Sequence, residues 1–312
     1  MSIEPNMEIL VLGGMGMLGH KMFQRLGQRF PGTYCTIRGS RTDEAERKFG
    51  DFQNGQMVAR VDATDFASLE RLLLANRPRV IVNCIGIIKQ RAAAKDAFAS
   101  ITVNSLLPHK LAEICRQWGG RLIHFSTDCV FSGRRGGYRE EDFADAEDVY
   151  GRTKFLGEIT ASHTLTLRTS IIGRELAHFT SLLEWFLSQN HRKVKGYRKA
   201  IFSGVTTNWL AEVVGNLIET HPDLSGLYQV TSPAISKFDL LDVLRQAYNL
   251  DIEILPDNEF WCDRSMVGEK FARATGYVCP PWGELAAQLA EEVTCYDEEG
   301  KRTCKYLTAS GS

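Results

Sequence analysis

Short apolar runs, each closed by glycine or a polar cluster and followed by a stretch with helical spacing, set the rhythm of the first half of the chain. Ile9–Leu12 is apolar throughout, as a strand buried on both faces must be, and His20–Phe30 then carries helical spacing. The same alternation predicts strands over Thr33–Ile37, Val58–Val61, Val80–Cys84, Leu122–Phe125 and Thr164–Arg168. Helices are expected at Phe66–Asn76, over Ala97–Trp118 with Gly119-Gly120 as its stop, and around Tyr150 to Lys154. Right-handed crossovers leave few solutions for such an alternation, and the choice is an α/β fold of the Rossmann type with a doubly wound parallel sheet.

After Gly173 the pattern loosens. Helices are expected at Phe179–Gln189, Asn208–Thr220 and Lys237–Tyr248, with short strands near Leu227–Val230 and Ile252–Leu255. Residues 1–173 then form a dinucleotide-binding domain with sheet contributions from about 201–231. Residues 174–200 and 232–293 form a smaller substrate-binding lobe, and 294–312 a polar tail. Ser132 to Asp148, glycine-rich and then acidic, suits a mobile loop beside the site.

Composition narrows the function by exclusion. The 312 residues carry 37 Lys and Arg against 38 Asp and Glu, a net charge of −1 that gives no general attraction to nucleic acid or anionic membrane. Eight cysteines are scattered without Cys-x-x-Cys or a partnered histidine, which argues against a zinc site and for a reduced cytoplasmic protein. Glu4 and Glu8 precede the first apolar run, unlike a secretory signal, and the apolar run from Val80 to Ile88, interrupted by Asn83, is too short to span a bilayer.

The candidate chemistry begins where the first strand ends, at Gly13-Gly14-Met15-Gly16-Met17-Leu18-Gly19. Gly13 and Gly16 let backbone approach a pyrophosphate, Gly19 lets helix and strand pack closely, and the following helix directs its free N–H groups at the phosphates. The loop after the second strand holds Arg38, Ser40 and Arg41 with no carboxylate before Asp43, which suits the 2′-phosphate of NADP better than the free ribose of NAD. Asp62, followed by Ala63, is positioned to accept from the adenine amino group, and Asn83 to Gly86 falls at the carboxyl edge of the sheet, where such folds bind ligands.

Ser126-Thr127-Asp128 stands at the tip of the next strand. Tyr150 and Lys154, spaced i,i+4, share one helix face, where an ammonium can lower the phenol's pKa and help it exchange a proton with a substrate oxygen.

With these motifs in this order the chain resembles the extended short-chain dehydrogenase/reductases, and more closely the dTDP-4-dehydrorhamnose reductases. The similarity runs from Ile9 to about Leu289 and is most specific at Phe125 to Gly133, Tyr150 to Glu158 and Leu167 to Ser170. It implies NADPH as cofactor and a nucleotide-sugar as substrate; no metal is expected, and a homodimer is allowed for. Tyr150 would protonate the substrate's C4 carbonyl oxygen, Thr127 would hydrogen-bond that oxygen, and Lys154 would bind the nicotinamide ribose. Met17, Leu18, Cys84, Ile85, Gly86 and Asn104 complete the implied cofactor contacts. Lys89, Asp128, Arg168, Thr206 and Trp209 join Thr127 as implied substrate contacts.

Related dehydratases carry Thr-Asp-Glu where this chain has Thr127-Asp128-Cys129, so loss of water is disfavoured. Cys129 is similar to a cysteine of GDP-fucose synthases, which epimerise before reducing and pair it with a histidine at a later helix start. His178, just before Phe179, stands at the matching place. A bifunctional epimerase/reductase using Cys129 and His178, an epimerase that recycles bound NAD, and a non-catalytic NADP-binding subunit are the competing functions.

Overall fold

The computed structural model describes residues 8–40, 56–88 and 96–292. Strand β1 (Ile9–Leu12) leads through the glycine turn into helix α1 (Met17–Arg29), followed by β2 (Thr33–Thr36), β3 (Met57–Val58), α2 (Phe66–Asn76) and β4 (Val80–Asn83). A long helix comes next, α-helical as α3 (Ala97–Ser100), π-helical over Ile101–Leu106, and α-helical again as α4 (Leu107–Arg116). Then come β5 (Arg121–Ser126), α5 (Val149–Leu156), β6 (Thr164–Arg168), β7 (Ile171–Ile172) and α6 (Leu182–Leu187). The remainder contains β8 (Lys193–Phe202), β9 (Val205–Thr206), α7 (Thr207–Thr220), β10 (Gly226–Gln229), β11 (Ile235–Ser236) and α8 (Lys237–Ala247). It closes with β12 (Glu253–Asp263), α9 (Glu269–Thr275) and α10 (Trp282–Ala290).

Seven strands form one parallel sheet in the order β10-β6-β5-β4-β1-β2-β3. All four side chains of β1 are fully buried, and alternation along the strand divides them between two cores. Ile9 and Val11 pack with Met22 and Phe23 of α1 and Leu210 and Val214 of α7. Leu10 and Leu12 pack with Leu69 and Leu72 of α2 and Leu107 and Leu111 of α4. The chain reverses its direction across the sheet between β1 and β4, so a crevice opens at their carboxyl ends.

A second sheet has the order β11-β8-β12, and β7 and β9 pair separately. The sequence reading has no strand over Lys193–Phe202, because four of its ten residues are cationic. The structure resolves this by alternation: Val194, Gly196 and Ala200 are buried while Lys193, Lys195 and Lys199 face outward. β12 also runs well past the expected Leu255, through a register shift between Asp257 and Trp261.

The expected strand Val58–Val61 pairs only at Met57 and Val58, and Arg60 takes a left-handed backbone with φ 61°. Ser132 to Asp148 is not the free loop expected. Tyr138 is buried and stacks on Phe131 with centroids 4.1 Å apart, and Ser132 binds both carboxylate oxygens of Asp145 at 2.7 and 2.6 Å.

Candidate active site

At the cofactor end, α1 begins after Gly16 with no side-chain cap, which leaves first-turn N–H groups open to an anion. The loop is tied to β2, as the Gly13 and Gly14 amides donate to Thr36 Oγ1 (3.1 Å) and Thr36 O (2.9 Å). A Cβ on Gly19 would fall 2.1 Å from the Gly13 carbonyl oxygen, so only glycine lets the helix close onto its own loop. Gly16, Met17 and Leu18 line a cleft of about 380 Å³ together with Cys84, Ile85 and Gly86. Uncapped amides and a side-chain-free turn at this crevice fit the diphosphate of a dinucleotide.

At the ribose end, Arg38 and Ser40 are exposed beyond β2. Arg41 lies outside the described residues, as do Lys89, Asp43 and the 294–312 tail. Asp62, expected to accept from the adenine, is held by its own loop. Its Oδ1 accepts from Thr64 N (2.9 Å) and Thr64 Oγ1 (2.7 Å), its Oδ2 meets Arg38 at 3.3 Å, and the Thr64 bonds hold the carboxyl below its usual range. Ala63 is buried in the second core.

The catalytic end is assembled by close backbone approach. Asp148 caps α5 by accepting from Gly151 N (2.8 Å), which starts the helix one residue before Tyr150. A Cβ on Gly151 would lie 2.2 Å from the Cys129 carbonyl oxygen, so α5 rests directly on the turn that follows Thr127. Thr127, Tyr150 and Lys154 all line the cleft. Thr127 Oγ1 accepts from Cys129 N (3.2 Å) and donates to Asp128 Oδ1 (3.1 Å).

The electrostatics differ from expectation. Burial pushes the Tyr150 phenol well above its usual range, with Cys129 adding to the rise and hydrogen bonding with Thr127 opposing it. Lys154 Nζ donates to the Phe125 carbonyl at 2.6 Å, and burial lowers it to about 8. Tyr150 therefore holds its proton at neutral pH. Asp128, also buried, is raised by desolvation against the pull of Arg264 and Lys237.

Several expected contacts are occupied otherwise. Arg168 is almost fully buried and bidentate to Glu158 (2.8 and 2.7 Å), with its guanidinium over the Phe131 ring. Glu158 also accepts from Ser126 Oγ at 2.6 Å, so this pair braces the tip of β5 from beneath the cleft. Thr206 caps α7 by accepting from Trp209 N (3.3 Å), and Trp209 packs against the first core. Asn104, in the π-helical turn, spends its amide on Ile87 N and Ile87 O (2.9 and 3.0 Å) and reaches Thr153 Oγ1 at 3.3 Å. It positions the cofactor loop rather than lining the cleft.

Cys129 lines the cleft, but His178 is exposed, with φ 75°, and is not part of its lining. Sequence reasoning also missed Glu175, Leu182, Phe202 and Lys237, which segments after Gly173 contribute to the cleft. Glu175 Oε2 accepts from Thr180 N and Ser181 N (2.7 and 2.9 Å) and so holds that wall. Nothing local marks these positions.

Strand order, glycine turn and the Thr127, Tyr150 and Lys154 constellation define the class, a Rossmann-type protein of the extended short-chain dehydrogenase/reductase kind. A family model described as the RmlD substrate binding domain matches residues 7–258, and the chain belongs to that family.

A dTDP-4-dehydrorhamnose reductase of Streptomyces griseus is 32% identical over 159 residues, 51% of this chain and 46% of that protein. The β subunit of methionine adenosyltransferase 2 from Bos taurus is 28% identical over 155 residues, 49% of this chain and 42% of that one. The chain thus spans about half the length of these curated relatives. Among solved structures, the dTDP-4-dehydrorhamnose reductase of Bacillus anthracis in complex with NADP shares the fold with TM-score 0.70 at 20% identity, covering 90% of this chain and 98% of that one.

Proposed function

We propose that the protein is an NADPH-dependent reductase of the C4 ketone of a nucleotide-linked 4-keto-6-deoxy sugar, serving deoxysugar precursor synthesis. The observation that carries this reading is the convergence of Thr127, Tyr150 and Lys154 on one cleft that the glycine turn also lines. Bound nicotinamide supplies hydride to the carbonyl carbon. Tyr150, held protonated by burial, gives its proton to the carbonyl oxygen, and Thr127 turns its hydroxyl from Asp128 Oδ1 to donate a hydrogen bond to the same atom. Lys154, anchored on Phe125 O, is assigned the nicotinamide ribose. Ile88, Ile171, Ile172 and Leu182 give the cleft an apolar lining that limits water.

NADPH oxidation measured against dTDP-, UDP- and GDP-4-keto-6-deoxy sugars, with NMR of the product, tests the proposal. No turnover with any of them would overturn it. The Bos taurus relative makes a binding subunit the second reading, but the three catalytic side chains are present here and favour an enzyme. Epimerisation by Cys129 and His178 is not proposed, because His178 is exposed and does not line the cleft that Cys129 faces.

The proposal takes the parts of 174–200 and 232–293 as the substrate lobe. Unpaired thiols, Cys84 and Cys115 among them, fit a reducing cytoplasm. Among the described residues, no helix is long and apolar enough to cross a membrane. Exposed Phe98, Ile101, Phe155 and Leu156, on helices in mutual contact, fit covering by a second copy in a homodimer, which sedimentation would check.

A further inference from the structure

The cleft contains a cation that neither the dinucleotide turn nor the ketone site uses. Lys237 is the first residue of α8, directly after Ser236, whose Oγ accepts from Asp239 N at 3.0 Å. Ser236 in turn sits opposite Ile201 in the β11–β8 pair, so the backbone beneath the lysine is fixed by both sheet and cap. The side chain lines the same cleft as Thr127, Asp128, Cys129 and Tyr150. Its Nζ lies 3.7 Å from the centroid of the Phe202 ring, and Phe202 is buried against Trp282 with ring centroids 5.6 Å apart. The ammonium thus rests on an immobile aromatic platform.

What it lacks is a counter-ion. Among the described residues nothing forms an ion pair or hydrogen bond with Nζ; Asp128, Cys129 and Cys262 act on it only at longer range. Desolvation brings it down to about 8. Helix stability does not account for the residue, since a lysine at the first helical position opposes the macrodipole. A partly desolvated ammonium without a partner is costly unless a ligand brings a strong acceptor to it. The other nearby cations are committed, Lys154 to Phe125 O (2.6 Å) and Arg264 Nε to Phe131 O (2.9 Å).

We infer that Lys237 is a specificity-determining residue whose ammonium binds the phosphate oxygens joining sugar to nucleoside, and so sets how far the sugar ring reaches toward Thr127 and Tyr150. The inference rests on the nucleotide-sugar reading above. It explains why a substrate bearing this linkage is selected over a free keto sugar: only the linked form brings an anion to the ammonium on Phe202.

The test uses the full chain saturated with NADP, as wild type, Lys237→Met and Lys237→Arg, titrated with dTDP, UDP and thymidine by calorimetry. Lys237→Met is expected to weaken dTDP at least about tenfold and Lys237→Arg less than about threefold, with thymidine unchanged in both. In turnover, KM for the keto sugar rises in Lys237→Met while kcat and the Kd of NADPH stay near wild type.

Equal losses for thymidine and dTDP would assign Lys237 to packing, and a fall in kcat with KM unchanged would assign it to proton transfer; either overturns the inference. So does a dTDP affinity that Lys237→Met leaves within about twofold of wild type, or a wild type that binds no nucleoside diphosphate. The arms separate the two readings. Lys237-dependent dTDP binding without turnover of any keto sugar would sink the reductase and leave this inference standing, whereas turnover with dTDP binding indifferent to Lys237 would do the reverse.

Discussion

Gly151 and the carbonyl of Cys129 are in such close approach that a single methyl group on the glycine would come within 2.2 Å of the oxygen. The helix bearing Tyr150 is therefore seated by backbone against backbone, on the turn that presents Thr127. Gly151→Ala must lift α5 away from that turn. A displacement of about 1 Å is worth on the order of 10²-fold in rate, so kcat should fall by about that factor while NADPH still binds. Steady-state kinetics with fluorescence titration of NADPH checks both halves; unchanged kcat would show that the turn gives way instead.

Tyr150→Phe removes the proton held by burial without emptying the space. The expected loss in kcat is about 10²–10⁴-fold, the usual contribution of a positioned general acid, with melting temperature and cofactor affinity preserved. A loss confined to KM would move Tyr150 from chemistry to binding.

Arg38 is 84% exposed in its side chain and shares only a 3.3 Å surface contact with Asp62, an interaction too weak to retain it. Arg38→Ala should raise KM for NADPH about tenfold or more, by loss of a charge-assisted bond to the 2′-phosphate, and leave KM for NADH unchanged. Equal effects on both cofactors would refute the preference for NADP.

Burial lowers Lys154 from 10.5 to about 8. Between these values the unfolded chain holds the proton and the folded chain does not, so the folded state gains stability as pH rises from about 8 toward 10.5. Denaturant unfolding of the cofactor-free protein should show wild type gaining on Lys154→Met across that interval and running parallel to it below pH 7. A difference flat with pH would mean that the ammonium is solvated.

Arg168 and Glu158 have side chains 1% and 6% exposed. Glu158→Leu leaves a buried guanidinium unpaired and should destabilise the fold by about 3–5 kcal/mol, whereas the double change Arg168→Met with Glu158→Leu should recover most of it. Chemical denaturation checks the pair. Retained stability in Glu158→Leu with a raised KM would restore Arg168 to the substrate site.

How much was legible depended on whether the chemistry was local. The glycine turn, Thr127 at a strand tip and the Tyr150–Lys154 face announce themselves, because strand ends and helical spacing fix where such side chains point. Arg168 stands at an equally suggestive tip, yet Glu158, ten residues earlier, takes the Nε–Nη2 edge of its guanidinium, and no periodicity reveals that. Thr206 was read as a ligand and is a cap. β8 was invisible because its outward lysines mask the alternation of the buried residues between them. Lys237 belongs to a segment that meets the cleft only through tertiary packing.

Asn104 grips Ile87 with both donor and acceptor of its amide and touches Thr153 beside Lys154. The wall of the dinucleotide crevice and the helix of the proton donor thus answer to one side chain in a π-helical turn, while Glu175, Leu182, Phe202 and Lys237 hang on other segments. On the proposed reading, the choice of substrate can change through those other segments, in descendants of this chain or by redesign, as long as the coupling through Asn104 is left untouched.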